Sequence, residues 1–319
     1  MGFGVFTPPE EAKPRAKKEK LTSAQIVAKL EETGIDFTPI GLGPWSHSKL
    51  KVLQNCPLKF YLQYIIKQDP KTKPEVSVVT ENGKAAHRIL EFVLAGRDIK
   101  KAYGLTRPEY KTLTDEQWEE LVVPLEYNIA NFKERVDEFA GRNGIKRIFQ
   151  ELRIGVTKDW KPTGFFADDV YFRGVIDLVI QMEDGNVILA DHKLGTSAVM
   201  GMRNFNDQLD TYRVLFHAGV EPTQGSTTSI NHIREGEVTF GEYMDTEQTH
   251  DSLLNRLEFS IQGAIDQVLE MGEFKHMTCT TCKYCDYRPE CISRTKVVTA
   301  DLRKQESETK KWFEIKKVT

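Results

Sequence analysis

The chain has 319 residues, 39% of them hydrophobic and 29% charged, and a formal net charge of −3. This composition is typical of a soluble globular protein, and the length allows one large domain or two small ones. The sequence shows neither a signal peptide nor an apolar run of transmembrane length, so we expect a reducing, cytoplasmic location without a membrane partner. The weakly acidic charge does not indicate nucleic-acid binding, so any basic surface must be local.

The elements predicted along the chain alternate between helix and strand. Residues 1–43 are expected to form a flexible arm and linker, with a helix at about 23–33. Hydrophobic periodicity predicts helices at about 46–67, 80–96, 114–141, 204–217 and 247–271, and strands at about 147–156, 170–181, 187–193, 225–233 and 237–243. This order predicts a mixed α/β fold with helices flanking a central sheet. Residues 296–319 are expected to be a charged tail.

Two apolar runs around Asp184-Gly185 predict a β-hairpin at 170–193. Asp177 interrupts the first run, and Asp191 and Lys193 end the second. Because side chains alternate along a strand, Asp191 and Lys193 project from one face, close to Asp177 on the neighbouring strand. Desolvating acids at such a position is costly unless a metal or another partner compensates them.

This hairpin suits metal-dependent phosphodiester hydrolysis. Two carboxylates on adjacent strands can hold Mg²⁺ or Mn²⁺, which polarises a phosphate and activates a water. Lys193 could orient or deprotonate that water, or offset charge on the transition state. Asp-x-Lys alone is very common, and a surface hairpin with an Asp–Lys pair is the simpler interpretation of that motif by itself.

Two helices carry further candidate residues on either side of the hairpin. Gly83 and His87 share one helical face, so that the glycine admits a close backbone approach and the imidazole is available to a metal. Gln208 and Tyr212 share a face of the helix after the hairpin and are placed to hydrogen-bond a phosphate or Lys193. Each pair alone is weak evidence, because a lone helical histidine usually packs or faces solvent.

Four of the five cysteines lie together near the end of the chain, at positions 279, 282, 285 and 291, and the fifth is Cys56. Clustered thiols in a chain expected to be cytosolic favour metal binding over disulfides. The spacing alone allows a tetrahedral zinc site or an iron–sulfur cluster.

Taken in order, these motifs resemble the PD-(D/E)XK nuclease superfamily and, within it, the RecB-like branch. The resemblance extends over about 44–292 and is carried by Gly83-x3-His87, Glu151, Asp177, Asp191-His192-Lys193 and Gln208-x3-Tyr212. It implies a restriction-endonuclease-like core at about 80–245 within a nuclease domain at 44–295. Many relatives have Glu where this chain has Asp191.

The resemblance also implies roles for individual residues. His87, Asp177 and Asp191 would bind the metal, together with the backbone carbonyl of His192. Lys193 would orient the attacking water or help to deprotonate it. Gln208 and Tyr212 would assist catalysis, with Glu151 and Gly83 as possible accessory residues.

The cysteines resemble those of iron–sulfur nucleases of the AddB and CRISPR-adaptation types. In those proteins one cysteine precedes the nuclease core, and three follow it in a C-x2-C-x5-C pattern that Cys282, Cys285 and Cys291 match. The resemblance implies a [4Fe–4S] cluster that joins 46–66 to 272–292 through Cys56, with Cys279 surplus. A local zinc site that includes Cys279 is the alternative.

The function expected from these observations is a metal-dependent DNA exonuclease acting in recombination, repair or phage DNA metabolism. Its substrate would be single-stranded DNA or DNA ends, in the host cytoplasm if the chain is phage-encoded. The alternatives are a structure-specific endonuclease, a non-catalytic DNA-end-binding scaffold and a zinc-ribbon nucleic-acid-binding protein. No Walker A motif is present, so a helicase or recombination protein would be a separate partner.

Overall fold

A computed structural model describes residues 34–70, 78–195, 205–271, 273–277, 282, 285–288 and 291. Of the predicted arm and linker at 1–43, residues 1–33, with the helix predicted at 23–33, lie outside these residues. So do Cys279 and the predicted tail at 296–319. None of the helices within the described residues is long and apolar enough to cross a membrane.

Six strands form one central sheet with the order β2-β1-β3-β4-β5-β6. The strands are β1 (Ile145–Val156), β2 (Pro162–Thr163), β3 (Phe172–Met182), β4 (Asn186–Lys193), β5 (Gly225–His232) and β6 (Glu237–Asp245). All neighbours are antiparallel except β4 and β5, which run parallel. A parallel pair requires a crossover, and the helix between these two strands provides it. The mixed sheet confirms the predicted fold class.

Helices cover both faces of this sheet. They are α1 (His47–Asn55), α2 (Pro57–Phe60), α3 (Val78–Leu94), α4 (Ile99–Thr106), α5 (Asp115–Leu121), α6 (Glu126–Arg142), α7 (Asn206–Gly219) and α8 (Thr246–Met271). Helices α7 and α8, with α1 and α2, bury apolar side chains in one core, and α3 to α6 bury theirs in a second core against the opposite face. Two cores separated by a sheet are the expected arrangement for a mixed α/β domain.

Two predicted helices are interrupted by prolines. The helix predicted at 46–67 breaks at Cys56, whose φ of −159° is extended, and restarts with Pro57 at its first position. The helix predicted at 114–141 breaks at Val123–Leu125, where Pro124 has no N–H to donate. Helix α4 and the short strand β2 were not predicted.

The predicted hairpin is present, with β3 and β4 paired antiparallel across an Asp184-Gly185 turn. Gly185 has a φ of +84°, a conformation that side chains with a Cβ disfavour. Asp184 Oδ1 accepts a hydrogen bond of 2.9 Å from the Asn186 amide, which further stabilises the turn.

The segment after α8 returns to the beginning of the described chain. The Phe274 ring stacks on Tyr61 at 5.0 Å between centroids, and the Leu58 amide donates to the Lys275 carbonyl at 3.1 Å. Further along, the Tyr287 hydroxyl donates to the Gln68 carbonyl at 3.0 Å. These contacts bring the two cysteine-bearing segments against each other.

Candidate active site

The candidate site lies where β3 and β4 separate. Their pairing ends at Leu178 and Ala190, whereas β4 continues beside β5 to Lys193. In the gap, Asp177 Oδ2 accepts a hydrogen bond of 2.7 Å from the His192 amide. A carboxylate therefore satisfies the backbone donor that a neighbouring strand would otherwise pair, and this fixes the Asp177 side chain at the end of the hairpin.

Glu151 reaches the same place from β1 through an unusual backbone conformation. The pairs Gln150–Leu178 and Leu152–Ile176 keep β1 and β3 in register on either side of it. Glu151 itself has a φ of +48°, in the left-handed region that residues other than glycine rarely occupy. Such an outlier in the middle of a strand is costly, and it is typical of a functional position.

His87 projects from α3 between these two acids. Its Nδ1 lies 3.7 Å from Asp177 Oδ2 and 4.0 Å from Glu151 Oε1, and its Nε2 lies 2.9 Å from the His192 carbonyl oxygen. Each of the three side chains offers a ligand atom within 4.8 Å of the other two. No other triad of His, Cys, Asp or Glu in the described parts of the chain is as close.

Asp191 on β4 contacts two side chains of α7. Its Oδ1 accepts hydrogen bonds from Gln208 Nε2 at 3.1 Å and from the Tyr212 hydroxyl at 3.4 Å. Its Oδ2 is buried, accepts no hydrogen bond of good geometry within the described chain, and forms an ion pair with Lys193 Nζ. Gln208 and Tyr212 therefore contact the acid rather than the lysine.

Burial and charge shift the pKa values of this cluster. Burial and the neighbouring charge of Asp191 raise the pKa of Asp177 to about 7. Burial lowers the pKa of His87, but the hydrogen bond to Glu151 and the charges of Asp177 and Glu151 outweigh it, so the pKa is raised overall. Burial, with the charges of Asp191 and Asp177, holds the pKa of Tyr212 well above its usual value, so this phenol remains a proton donor.

The buried His192 ring packs beside His87 and fixes the backbone at the site. Burial, followed by the charges of His87 and Lys193, holds its pKa well below the usual value, so the imidazole is neutral. Its Nδ1 lies 3.2 Å from Asn231 Nδ2, and its ring packs edge-on against Phe132 and His87. This packing fixes the backbone of His192, whose carbonyl faces His87.

The donor atoms fit a hard divalent cation. Carboxylate oxygens and an imidazole converge, as a hard cation requires. In addition, the buried acids Asp177 and Asp191 repel each other without a cation. His87, Glu151 and Asp177 would hold such an ion, with the His192 carbonyl beside them. Asp191, predicted as a metal ligand, is not one of these three residues, and its Oδ2 forms an ion pair with Lys193. Glu151 was predicted only as an accessory, although an acid within the run Phe149-Gln150-Glu151-Leu152 carries the same signal as Asp177.

Comparison with known families agrees with this geometry. The family model of the PD-(D/E)XK nuclease superfamily matches residues 44–292, which is most of the chain. The chain belongs to this nuclease superfamily. Such nucleases use divalent metals, in accord with the donor set at His87, Glu151 and Asp177.

Two solved structures are similar to this nuclease at low identity. The crystal structure of SSO0001 is 12% identical with a TM-score of 0.34, and the match covers 85% of this chain and 95% of that one. A protein of Eubacterium rectale provisionally named an exonuclease is 10% identical with a TM-score of 0.43, over 84% of this chain and 93% of that one. Both TM-scores are below 0.5, so neither likeness supports a further conclusion. No curated protein matches the chain.

A cleft of about 530 Å³ opens above the nuclease site, between α3 and β1. Its lining includes Gly83, Lys84, His87, Tyr110, Glu151 and Arg153. A Cβ at Gly83 would meet no described atom within 4 Å. The close backbone approach expected at this glycine is therefore absent from the described chain, and Gly83 instead leaves space in the cleft.

The cysteines of the nuclease form a second, looser group. Burial and the neighbouring charges of Cys56, Cys282 and Cys285 raise the pKa of Cys291 to about 11. The charge of Cys56 therefore acts on Cys291, and it acts on Cys285 as well. Among the described residues, however, no three cysteine sulfurs lie within 4.8 Å of one another. The predicted surplus residue, Cys279, lies outside the described residues.

Proposed function

We propose that this nuclease is a metal-dependent DNA exonuclease of the RecB-like type that acts in recombination, repair or phage DNA metabolism. The observation that carries the proposal is the convergence of His87, Glu151 and Asp177, beside the Asp191–Lys193 ion pair and beneath a cleft with basic residues. Paired acids with a lysine at the end of a hairpin suit the hydrolysis of a phosphodiester.

Three of the site residues would bind the metal, and the others would position the reacting groups. A Mg²⁺ or Mn²⁺ held by His87, Glu151 and Asp177 would polarise the scissile phosphate and lower the pKa of the attacking water. Lys193 Nζ orients that water, or offsets the charge that develops on the phosphate. Asp191 holds Lys193 Nζ in place, and Gln208 and Tyr212 in turn hold the Asp191 carboxylate by hydrogen bonds.

Digestion of end-labelled linear DNA and of closed circular single strands in Mn²⁺ tests the activity. We expect linear DNA to shorten from its ends and the circles to survive, because an exonuclease requires an end. Asp191→Ala and Lys193→Ala should each reduce the rate at least about 100-fold, whereas Lys101→Ala, an exposed lysine on α4, should have no effect.

The alternatives predict different digestion products. Rapid cutting of circles would indicate a structure-specific endonuclease that uses the same site. DNA binding without any cleavage would indicate an end-binding scaffold. If Asp191→Ala or Lys193→Ala degraded DNA at the wild-type rate, the site would be wrongly assigned. As a partner we propose a separate helicase or recombination protein that supplies unwound ends. We propose that both proteins act in the cytoplasm.

We also propose that Cys56, Cys282, Cys285 and Cys291 bind a [4Fe–4S] cluster. The support is the charge of Cys56 acting on Cys285 and Cys291, and the hydrogen bond between Leu58 and Lys275 that holds the two segments together. Thiolates are the usual ligands of such a cluster. The protein purified without oxygen should be brown and should bleach in air. Colourless protein that contains zinc would instead support the local site with Cys279.

A further inference from the structure

A short hairpin-like extension of the sheet presents Phe166 to solvent, next to the half-buried Phe165. Strand β2 pairs with the end of β1 through Gly155–Thr163 and Val156–Pro162, and the chain then turns back into β3. The turn is held by hydrogen bonds from Thr163 Oγ1 to Asp169 Oδ1 at 2.6 Å and from the Ala167 amide to the Gly164 carbonyl at 3.0 Å. We call residues 164–167, together with Arg173, the aromatic wing.

The aromatic wing is a fixed platform rather than a part of the core. Phe166 is 74% exposed, and its ring meets that of Phe165 edge-on at 4.9 Å. The Arg173 guanidinium lies 5.1 Å from the Phe165 ring and 5.6 Å from the Phe166 ring, and it donates a hydrogen bond of 3.2 Å to the Phe165 carbonyl. A large aromatic ring that is held in place yet exposed is available to stack on a ligand.

The register of the sheet connects the aromatic wing to the catalytic cleft. Arg173 pairs with Gly155, and Val175 pairs with Arg153, so both arginines lie on one face of the sheet. Arg153 lines the cleft next to Glu151. Arg173 is four residues before Asp177, which places it roughly 13 Å along the strand from the site.

The two arginines carry positive charge that no acid of the described chain pairs. In contrast, Lys84 pairs with Glu81, and Arg88 pairs with Glu91, in the same cleft. Asp168, exposed at the tip of the wing, is an opposing negative charge. The surface from the cleft to Phe166 therefore combines unpaired guanidinium groups with an exposed aromatic face.

We propose that the aromatic wing binds the single-stranded part of the DNA substrate, with a base stacked on Phe166 and phosphates on Arg153 and Arg173. Positive charge that follows the backbone, combined with aromatic rings that stack on bases, is the general mode of single-strand binding. Paired bases in a duplex present no free face to a side ring, so the wing selects single strands. This inference rests on the proposed nuclease function and adds the substrate class.

The test measures the binding of a fluorescein-labelled oligothymidylate by anisotropy, in EDTA so that cleavage cannot occur. We expect Phe166→Ala to raise the Kd roughly 5- to 30-fold, since stacking on one aromatic side chain contributes that much. Phe166→Trp should restore wild-type affinity. Phe259→Ala is the matched control, because Phe259 is 80% exposed on α8, and it should leave the Kd unchanged. Arg153→Gln should weaken binding and reduce its salt dependence.

A relaxed, covalently closed duplex circle, which has neither ends nor hairpin loops, separates stacking from charge. Phe166→Ala should change its Kd less than about twofold, because no base is free to stack. Equal losses of affinity for the duplex circle and the oligothymidylate, or no loss for either, would overturn the wing as a single-strand site. If the wild-type protein degraded DNA while Phe166→Ala bound oligothymidylate normally, only the proposal about the wing would be wrong. Failure of the wild-type protein to bind or cleave DNA would overturn both proposals.

Discussion

Asp177 is the residue whose environment is least favourable to its own charge. Its carboxylate is buried beside Asp191, and the pKa is raised from 3.8 to about 7. A group whose pKa is higher in the folded than in the unfolded protein destabilises the fold progressively as pH rises between those two values. The charged Asp177 carboxylate therefore lowers the stability of the metal-free protein at neutral pH. The same charge attracts a cation to the site.

Asp177→Asn should stabilise the metal-free protein in a pH-dependent manner. The amide oxygen can still accept the hydrogen bond from His192, but it carries no charge to desolvate. The gain in unfolding free energy should grow between about pH 4 and pH 7, level off at higher pH, and reach about 1–3 kcal/mol. Urea denaturation in EDTA at several pH values measures it. A gain independent of pH would contradict the assignment.

Asp184, in the turn of the same hairpin, is the matched control with the opposite sign. Hydrogen bonds from the Asn186 backbone and side chain hold its pKa below the usual value. Asp184→Asn should therefore lower stability at neutral pH and have less effect as pH falls through the usual range of an aspartate. Opposite trends for these two variants would show that the local environment of each carboxylate, not the net charge, sets how stability changes with pH.

Among the elements, strand β1 shows most clearly how local strain is tied to the site. It remains in register with β3 on both sides of Glu151, so the left-handed residue disturbs no further pairing. The rest of the sheet holds this conformation in place. We infer that the strand tolerates the cost because it directs the Glu151 carboxylate towards His87 and Asp177.

Glu151→Gly should relieve this strain. We expect it to be more stable than Glu151→Gln by about 1 kcal/mol in EDTA, because glycine adopts a positive φ without a Cβ clash. Both variants should lose affinity for Mn²⁺ in calorimetric titration, since both lack the carboxylate. Equal stability of the two variants would mean that the backbone at this position stores no strain.

In the whole molecule, the proposed cluster would connect the two ends of the described chain. Cys56 lies at the break between α1 and α2, and its partners follow α8, so a cluster would join segments that are more than 200 residues apart. Because binding at such a site contributes to folding, loss of one ligand destabilises the whole connection.

Cys56→Ser should therefore lose iron and expose the segment after α8 to limited proteolysis. Cys279→Ser is the control and should keep both iron and protease resistance. The reverse pattern, with Cys279 essential and Cys56 dispensable, would favour the local zinc site. The nuclease centre would remain, because its acids and lysine do not depend on the cysteines.

Much of the fold was predictable because its signals are local. The Asp184-Gly185 turn and the apolar runs beside it predict the β3–β4 hairpin, which the structure confirms. Asp177, Asp191 and Lys193 stood out for the same reason, because Asp177 interrupts one apolar strand and Asp191 and Lys193 end the next. The breaks at Pro57 and Pro124 were also present in the sequence, but the periodicity of the flanking residues concealed them.

Only the tertiary structure decided which of these residues meet. His87 contacts His192 across 105 residues of sequence, and no local pattern encodes that distance. Glu151 joins them because the sheet imposes a positive φ that glutamate does not prefer by itself. The hydrogen bonds of Asp191 with Gln208 and Tyr212 likewise depend on how α7 packs on the sheet. The sequence by itself determined the chemical groups and their strands, whereas long-range packing determined their geometry, because it depends on contacts among distant residues.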